Sequence, residues 1–339
     1  MILGEQFKKR RVLSKLTQQQ VADMTGLTRQ TIIALEHSYD LSNISKDTIK
    51  LVSNALGMDT DTWEMYKGLY EKEDDIVMLV EANYHSTGAR KKYCGASQFK
   101  SFMKCEAEAL AEVKGDIDSL NTKSLMEGSY MDALVQGKET IKQFRKDHPE
   151  LFTARGELKS EFRKAESAYE RISKDPIFMD YLDGDKQIIM TGFINGVEFK
   201  VKPDILNLEN GRIVDLKYMK DFNYIWDDQD KCKKHFIDYW GYNIQGAIYR
   251  EIVYQNTGIM CDFYIAGITK EEDTDYDVFN IASKDLDEAL ELVKEFAPHI
   301  QALKEGKEEP KQCGHCRYCR SVKELKGATI YTKYVDDLI

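Results

Sequence analysis

No apolar run in this chain approaches the roughly 18 residues needed to span a bilayer, which argues against a helical membrane protein. The opening residues, Met1 to Arg11, have no apolar stretch behind their charges, so no secretory leader is expected and the expected compartment is the cytoplasm. Proline is scarce, five in 339 residues. The composition, 42% hydrophobic and 31% charged, is ordinary for a soluble globular protein of two or three domains. An excess of positive charge is also missing, and the net charge of −10 argues against a chain coated in nucleic acid. That figure is an average: residues 1–57 hold eight Lys/Arg and five Asp/Glu, a net of +3, and the remainder carries about −13. DNA binding therefore needs local basic patches. The seven cysteines of a cytosolic chain are not expected to form a disulfide framework. Three of them crowd into Cys313-Gly314-His315-Cys316-Arg317-Tyr318-Cys319, a spacing that suggests a metal or cluster. Cys94, Cys232 and Cys261 are scattered and read as core or surface thiols.

Residues 1–70 read as all helix. Thr17 and Thr28 are suited to cap two short helices, and Gly26 suits the left-handed turn between them. Val21, Ala22, Leu27, Ile32 and Leu35 fall where a helix-turn-helix buries its apolar contacts, and a further helix is expected over 46–56, ending at Gly57. The acidic stretch 71–75 reads as a hinge within a linker, 71–84. Helices are then expected over 97–112 and 125–135, with an amphipathic helix within 156–174 that presents Phe162, Ala165, Tyr169 and Ile172 on one face.

Over residues 187–218 the period changes. Segments 187–194, 197–208 and 212–218 read as three strands joined at Asn195-Gly196 and Asn210-Gly211, strong hairpin signals. A helix over about 239–254, strands at 261–269 and 277–281 and a long helix over 285–303 complete an α+β domain with a mixed sheet. Two-residue loops at both turns would set Asp204 opposite Lys217, Leu206 opposite Asp215 and Gln187 opposite Asp204. Four polar side chains would then share one face of an Ile/Val/Leu-rich ribbon. Two carboxylates this close repel unless a cation lies between them, and Mg²⁺ or Mn²⁺ suits such a ligand set. A neighbouring lysine could orient or help deprotonate water, or stabilise charge on a phosphate. Pro203 lacks a ladder donor and suggests an edge or bulge beside the cluster. The plainer alternative is an exposed cross-strand salt bridge.

Pro203-Asp204 followed by Asp215-Leu216-Lys217 resembles the signature of the PD-(D/E)XK nuclease superfamily. Tyr242-Asn243-Ile244-Gln245-Gly246-Ala247-Ile248-Tyr249 is similar to the Gln-x3-Tyr motif of RecB-type and RecE-type exonucleases. Upstream, Met126-Glu127-Gly128-Ser129-Tyr130-Met131-Asp132 resembles the helical motif preceding the sheet in this group. Many relatives have His where this chain has Asp132, and Glu where it has Gln187. The resemblance implies a restriction-endonuclease-like core over 85–325, with a C-terminal tail at 326–339. It implies Asp204 and Asp215 as metal ligands with Asp132 and Gln187 as further candidates, Lys217 as the assisting group, and Gln245 and Tyr249 beside the DNA.

The cysteines add a second resemblance, to RecB-like nucleases in which one cysteine precedes the core and three follow it. It implies a [4Fe–4S] cluster on Cys105, Cys313, Cys316 and Cys319. Zinc on the same thiolates, or with His315 replacing one, is the alternative. The N-terminal pattern resembles XRE/Cro-type repressor domains. It implies that Thr28, Arg29, Gln30 and Thr31 face the major groove and that Gln18 meets a phosphate. The expected function is a metal-dependent DNA exonuclease of phage-type recombination or end processing, with DNA and a single-strand annealing recombination protein as partners. A helix-turn-helix transcription regulator carrying a degenerate nuclease fold is the rival.

Overall fold

The computed structural model describes residues 3–37, 46–58, 79, 83–117, 122–228, 230–325 and 327–328. The acidic stretch read as a hinge lies outside the described residues, as do parts of 1–70 and most of the C-terminal tail.

Four helices form the N-terminal unit: α1 (Leu3–Leu13), α2 (Gln18–Thr25), α3 (Arg29–His37) and α4 (Lys46–Ala55). Thr17 caps α2 reciprocally with Gln20, Gly26 ends it at φ +71°, and the Thr28 hydroxyl accepts from Thr31 N at 3.1 Å to start α3. Phe7, Val21, Ala22, Ile32, Leu35, Ile49, Val52 and Leu56 form the buried centre, with Leu27 packed at its margin. Beside it Glu36, 2% exposed, receives both Arg11 and the Gln18 amide.

The second unit opens with α5 (Thr87–Lys92), β1 (Cys94–Gly95), α6 (Ala96–Lys104) and α7 (Glu106–Lys114). The single helix expected over 97–112 is thus broken at Cys105, whose extended backbone (φ −161°) ends α6 and begins α7. Helices α8 (Lys123–Gln136), α9 (Lys138–Asp147), α10 (Ser160–Ile172) and α11 (Pro176–Tyr181) follow. The strands are β2 (Asp185–Lys186), β3 (Met190–Ile194), β4 (Val197–Val201), β5 (Ile205–Asn207), β6 (Arg212–Met219), β7 (Ile225–Asp227) and β8 (Cys232–Lys234). After α12 (Phe236–Tyr239) and α13 (Tyr242–Thr257) come β9 (Asp262–Thr269), β10 (Tyr276–Asn280), α14 (Ser283–Lys304) and α15 (Arg317–Ser321). The strands make a five-stranded mixed sheet, β10-β9-β6-β5-β2, a three-stranded sheet, β1-β4-β3, and the β7–β8 pair.

Alternation along β6 divides the core. Ile213 packs with Phe263, Ile265, Ile248 and Ile252 on the face covered by α13 and α14. Val214, Leu216 and Tyr218 pack on the other face with Tyr130, Met131 and Phe162 of α8 and α10.

Two corrections concern the ribbon. Its long strands are each broken, at 187–189 and 202–204, so that it passes from one sheet into the other. Gln187 takes φ +56° at the bend, opposite Asp204, and Pro203, which has no N–H to give a ladder, precedes Asp204 on the facing strand. The turn at Asn195-Gly196 is the expected two-residue loop, with φ of +47° and +78° and Ile194 opposite Val197. The turn at Asn210-Gly211 is not. Asn210 N donates to the Asn207 side chain at 3.0 Å, closing a four-residue turn, and Ile205 lies opposite Val214. The register therefore shifts by two residues from the expected pairing of Leu206 with Asp215. A shift of two leaves every side chain on its expected face.

Candidate active site

Asp215 and Lys217 follow Ile213 on the face of β6 that looks toward α13, and Asp204, two residues before Leu206, belongs to the same face. Gln245, on the first turns of α13, donates to Asp215 Oδ1 at 2.7 Å. Lys217 Nζ pairs with Asp215 Oδ2, a buried oxygen with no other polar partner among the described residues. Asp204 is held from two sides: Oδ1 accepts from Gln187 Nε2 at 2.9 Å and Oδ2 from Leu216 N at 2.9 Å. Gln187, read as a candidate ligand, thus presents its amide nitrogen to Asp204. Gln187 N also donates to Asp204 O at 3.3 Å, the opposition expected from the sequence.

Asp132, from α8, joins these groups. Burial, with the charges of Asp204 and Asp215, raises it well above the usual carboxylate range. Burial and Asp215 push Asp204 up to about 6, against Lys217 and its two hydrogen bonds. Burial pulls the Lys217 ammonium down, but Asp215 and Asp204 outweigh it and hold it above the usual lysine value. The carboxylates repel one another; Lys217 pairs with Asp215, and Arg90, Lys200 and Lys202 line the same cavity. Buried carboxylates that repel one another are a ligand set that a divalent cation would satisfy. Oxygen donors of this kind fit a hard divalent ion.

The same groups line one cavity of about 480 Å³. Tyr249 reaches it from α13, one turn beyond Gln245, and burial keeps its phenol well above the usual range. Several residues of the wall were not singled out in the sequence. Lys200, 6% exposed, donates to Tyr84 O and lies over the Tyr84 ring at 4.5 Å, and Arg90, Lys202 and Ser129 complete that side. Lys100 Nζ lies 3.4 Å from Gln245 Oε1, and burial with the neighbouring Lys217 brings its pKa down to about 8. The only local signal for Lys100 was its spacing from Lys104 on one helix face.

The second group of candidate ligands lies apart from this cavity's lining. The Sγ atoms of Cys105, Cys313, Cys316 and Cys319 all fall within 4.8 Å of one another. Cys105 and Cys319 are 3.5 Å apart, Cys105 and Cys316 3.8 Å, Cys313 and Cys319 3.9 Å. Cys316 N and Cys319 N donate to the sulfurs of Cys313 and Cys316 at 3.3 Å each, which favours thiolates. His315 is not in the group; its Nδ1 lies 2.8 Å from Cys313 O. The segment is stitched to α7 by Ala107 N to Lys311 O and by Lys311 N to Glu106 Oε2.

In the N-terminal unit, Thr28, Arg29 and Gln30 are exposed at the start of α3 and Thr31 is half-buried. Gln18, expected to meet a phosphate, has its amide nitrogen committed to Glu36 at 2.9 Å.

Comparison with known proteins agrees with this architecture. Residues 95–322 match the model of a family described as a PDDEXK-like domain of unknown function (DUF3799), and residues 7–63 match a helix-turn-helix model. No curated protein matches the chain. A crystal structure from Eubacterium rectale, described as a "putative exonuclease", is similar to it with 38% sequence identity and a TM-score of 0.71, over 75% of this chain and 97% of that one. With a helix-turn-helix unit at its N-terminus, the chain belongs to the PDDEXK-like family.

Proposed function

We propose that this protein is a deoxyribonuclease dependent on Mg²⁺ or Mn²⁺, acting as an exonuclease. The observation that carries the reading is the convergence of Asp132, Asp204 and Asp215 on one cavity, with Lys217 paired to Asp215 Oδ2. A divalent ion there would polarise the scissile phosphate and activate the attacking water. Asp204 and Asp215 would hold the ion, with Asp132 as a further carboxylate of the same cavity. Gln187 fixes the orientation of Asp204, and Gln245 that of Asp215. The Lys217 ammonium orients water or meets charge developing on the phosphate. The Tyr249 hydroxyl is placed to position DNA. Exonuclease action is supported by the description of the similar crystal structure. The helix-turn-helix, with Arg29 and Gln30 exposed, brings this site to duplex DNA.

The test is digestion of linear and circular DNA by wild type, Asp215→Ala and Lys217→Ala with added Mg²⁺ or Mn²⁺. Cleavage of linear DNA by wild type alone is expected; equal cutting by all three proteins would sink the assignment.

The thiolate group is proposed to hold zinc. A tetrahedron with Zn–S bonds of about 2.3 Å has sulfur–sulfur edges of about 3.8 Å; three of the six separations here are 3.5–3.9 Å and all six lie within 4.8 Å. In a [4Fe–4S] cluster each thiolate binds its own iron, which holds the sulfurs farther apart, so this spacing supports a single ion. Protein purified without oxygen should be colourless and contain stoichiometric zinc. A brown, iron-containing preparation would restore the cluster.

A further inference from the structure

Trp240 closes the turn between α12 and α13 and is 44% exposed, an apolar ring in water with Tyr239 against its edge at 4.9 Å. Lys104, itself exposed, lies 5.7 Å from the ring centroid. The Trp240 carbonyl accepts from Lys100 Nζ at 3.1 Å, and that ammonium leads inward. It sits 5.3 Å from the centroid of Tyr242 and 3.4 Å from Gln245 Oε1, and Gln245 in turn holds Asp215. Lys217 lies 5.3 Å from the Tyr242 ring. From solvent to the carboxylates the side chains therefore alternate between ring and ammonium: Trp240 with Lys104, then Lys100, Tyr242 and Lys217. Charge along this strip is unbalanced, because Lys100 has Lys104 and Lys217 as ammonium neighbours and Asp215 as its carboxylate neighbour.

A nucleotide supplies what both features call for, a phosphate for the ammonium groups and a flat base for the indole. Paired bases in a duplex already stack on one another and expose only their edges, whereas an unpaired base offers its face. We infer that Trp240 is a stacking platform for a base of an unpaired DNA strand whose phosphates follow Lys104 and Lys100 toward Asp215. This rests on the nuclease reading of the site and adds to it the form of the strand that enters.

The test uses the full chain in EDTA, so that binding is read without cleavage. Fluorescence anisotropy compares wild type, Trp240→Ala and Trp240→Phe on a dye-labelled oligothymidylate and on an abasic oligonucleotide of the same length. Loss of one stacked base should weaken Trp240→Ala on oligothymidylate by about tenfold or more. Trp240→Phe, which keeps a ring, should stay within about threefold of wild type, and the abasic strand should bind wild type as weakly as oligothymidylate binds Trp240→Ala. Equal affinity of wild type and Trp240→Ala for oligothymidylate, or of wild type for the two strands, would overturn the platform. Trp240-dependent binding in a protein that never cuts DNA would keep the platform and remove the nuclease. Metal-dependent cutting with no Trp240 effect on binding would do the reverse.

Discussion

Asp132, Asp204 and Asp215 meet around an open cavity, whereas Cys105, Cys313, Cys316 and Cys319 close on one another. Each group gathers side chains from distant parts of the chain, yet their physics differs. The carboxylates come from a helix and two paired strands. Lys217 and Gln245 bind Asp215, and Gln187 binds Asp204. The thiolates are already at the spacing of a small tetrahedron and offer no open position. An open set of hard oxygen donors is a place for an ion that exchanges and does chemistry; a closed set of sulfurs is a place for an ion that holds structure.

The sharpest way to break that comparison is to ask what each group does to activity and to stability. Asp215→Asn keeps the shape and the contact with Gln245 but removes a charge repelled by Asp204 and Asp132. Cleavage should fall by at least about a thousandfold. The melting temperature should change little, because relief of like-charge repulsion is set against the lost ion pair with Lys217. Steady-state cleavage and thermal melting of the same preparation check both halves; a large drop in melting temperature would contradict the comparison.

Cys105→Ser should behave in the opposite way. It should lose the bound ion and melt several degrees lower, at roughly 2–4 °C per kcal/mol for a domain of this size. Protein that remains folded at low temperature should keep cleavage within several-fold of wild type. Loss of activity without loss of stability would place the thiolates in the chemistry instead.

A smaller effect tests how Gln245 is positioned. A Cβ on Gly246 would stand 2.5 Å from Phe263 Cδ1 and 2.9 Å from Leu286 Cδ2, so Gly246→Ala must push α13 off the sheet. Overpacking of this kind costs about 1–3 kcal/mol, and a loss of about tenfold in cleavage should accompany it as Gln245 leaves Asp215. Gly128→Ala, with nothing within 4 Å on α8, should slightly raise stability.

The smallest effect concerns the N-terminal unit, where a buried carboxylate has partners in full. Burial would raise Glu36, but Arg11 and Gln18 outweigh it and hold it below the usual glutamate value. A carboxyl with a depressed folded pKa stabilises the fold above its unfolded pKa, and that contribution fades as pH falls through the lower folded value. The helix-turn-helix should therefore lose stability on acidification from the ordinary glutamate range downward, and Glu36→Gln should be less stable at neutral pH with a flatter acid limb. Chemical denaturation at several pH values, followed by circular dichroism, measures both.

Much of this was legible in the sequence because local rules governed it. Thr17, Gly26 and Thr28 mark helix ends by chemistry that acts within a few residues. The alternation of strands puts Asp204, Asp215 and Lys217 on one face because the register moved by an even two residues. The register did not follow from the Asn210-Gly211 pair, since the Asn207 side chain closed the turn earlier. The break at Cys105 was hidden for the same kind of reason: residues 96–114 have helical propensity throughout, and the interruption belongs to a contact with Cys319, 214 residues away. Lys200 in the cavity wall and Lys100 beside Gln245 were not seen because nothing near them in sequence says which elements they will face.

The account turns on the carboxylate face being the exchangeable, chemical site. The measurement that tests it most directly is a titration of EDTA-stripped protein with Mn²⁺, following ion uptake and cleavage of linear DNA in the same samples. Uptake and cleavage should rise together in wild type, and both should be absent in Asp215→Asn. Cleavage by the stripped protein, or by Asp215→Asn at the wild-type level, would contradict the account.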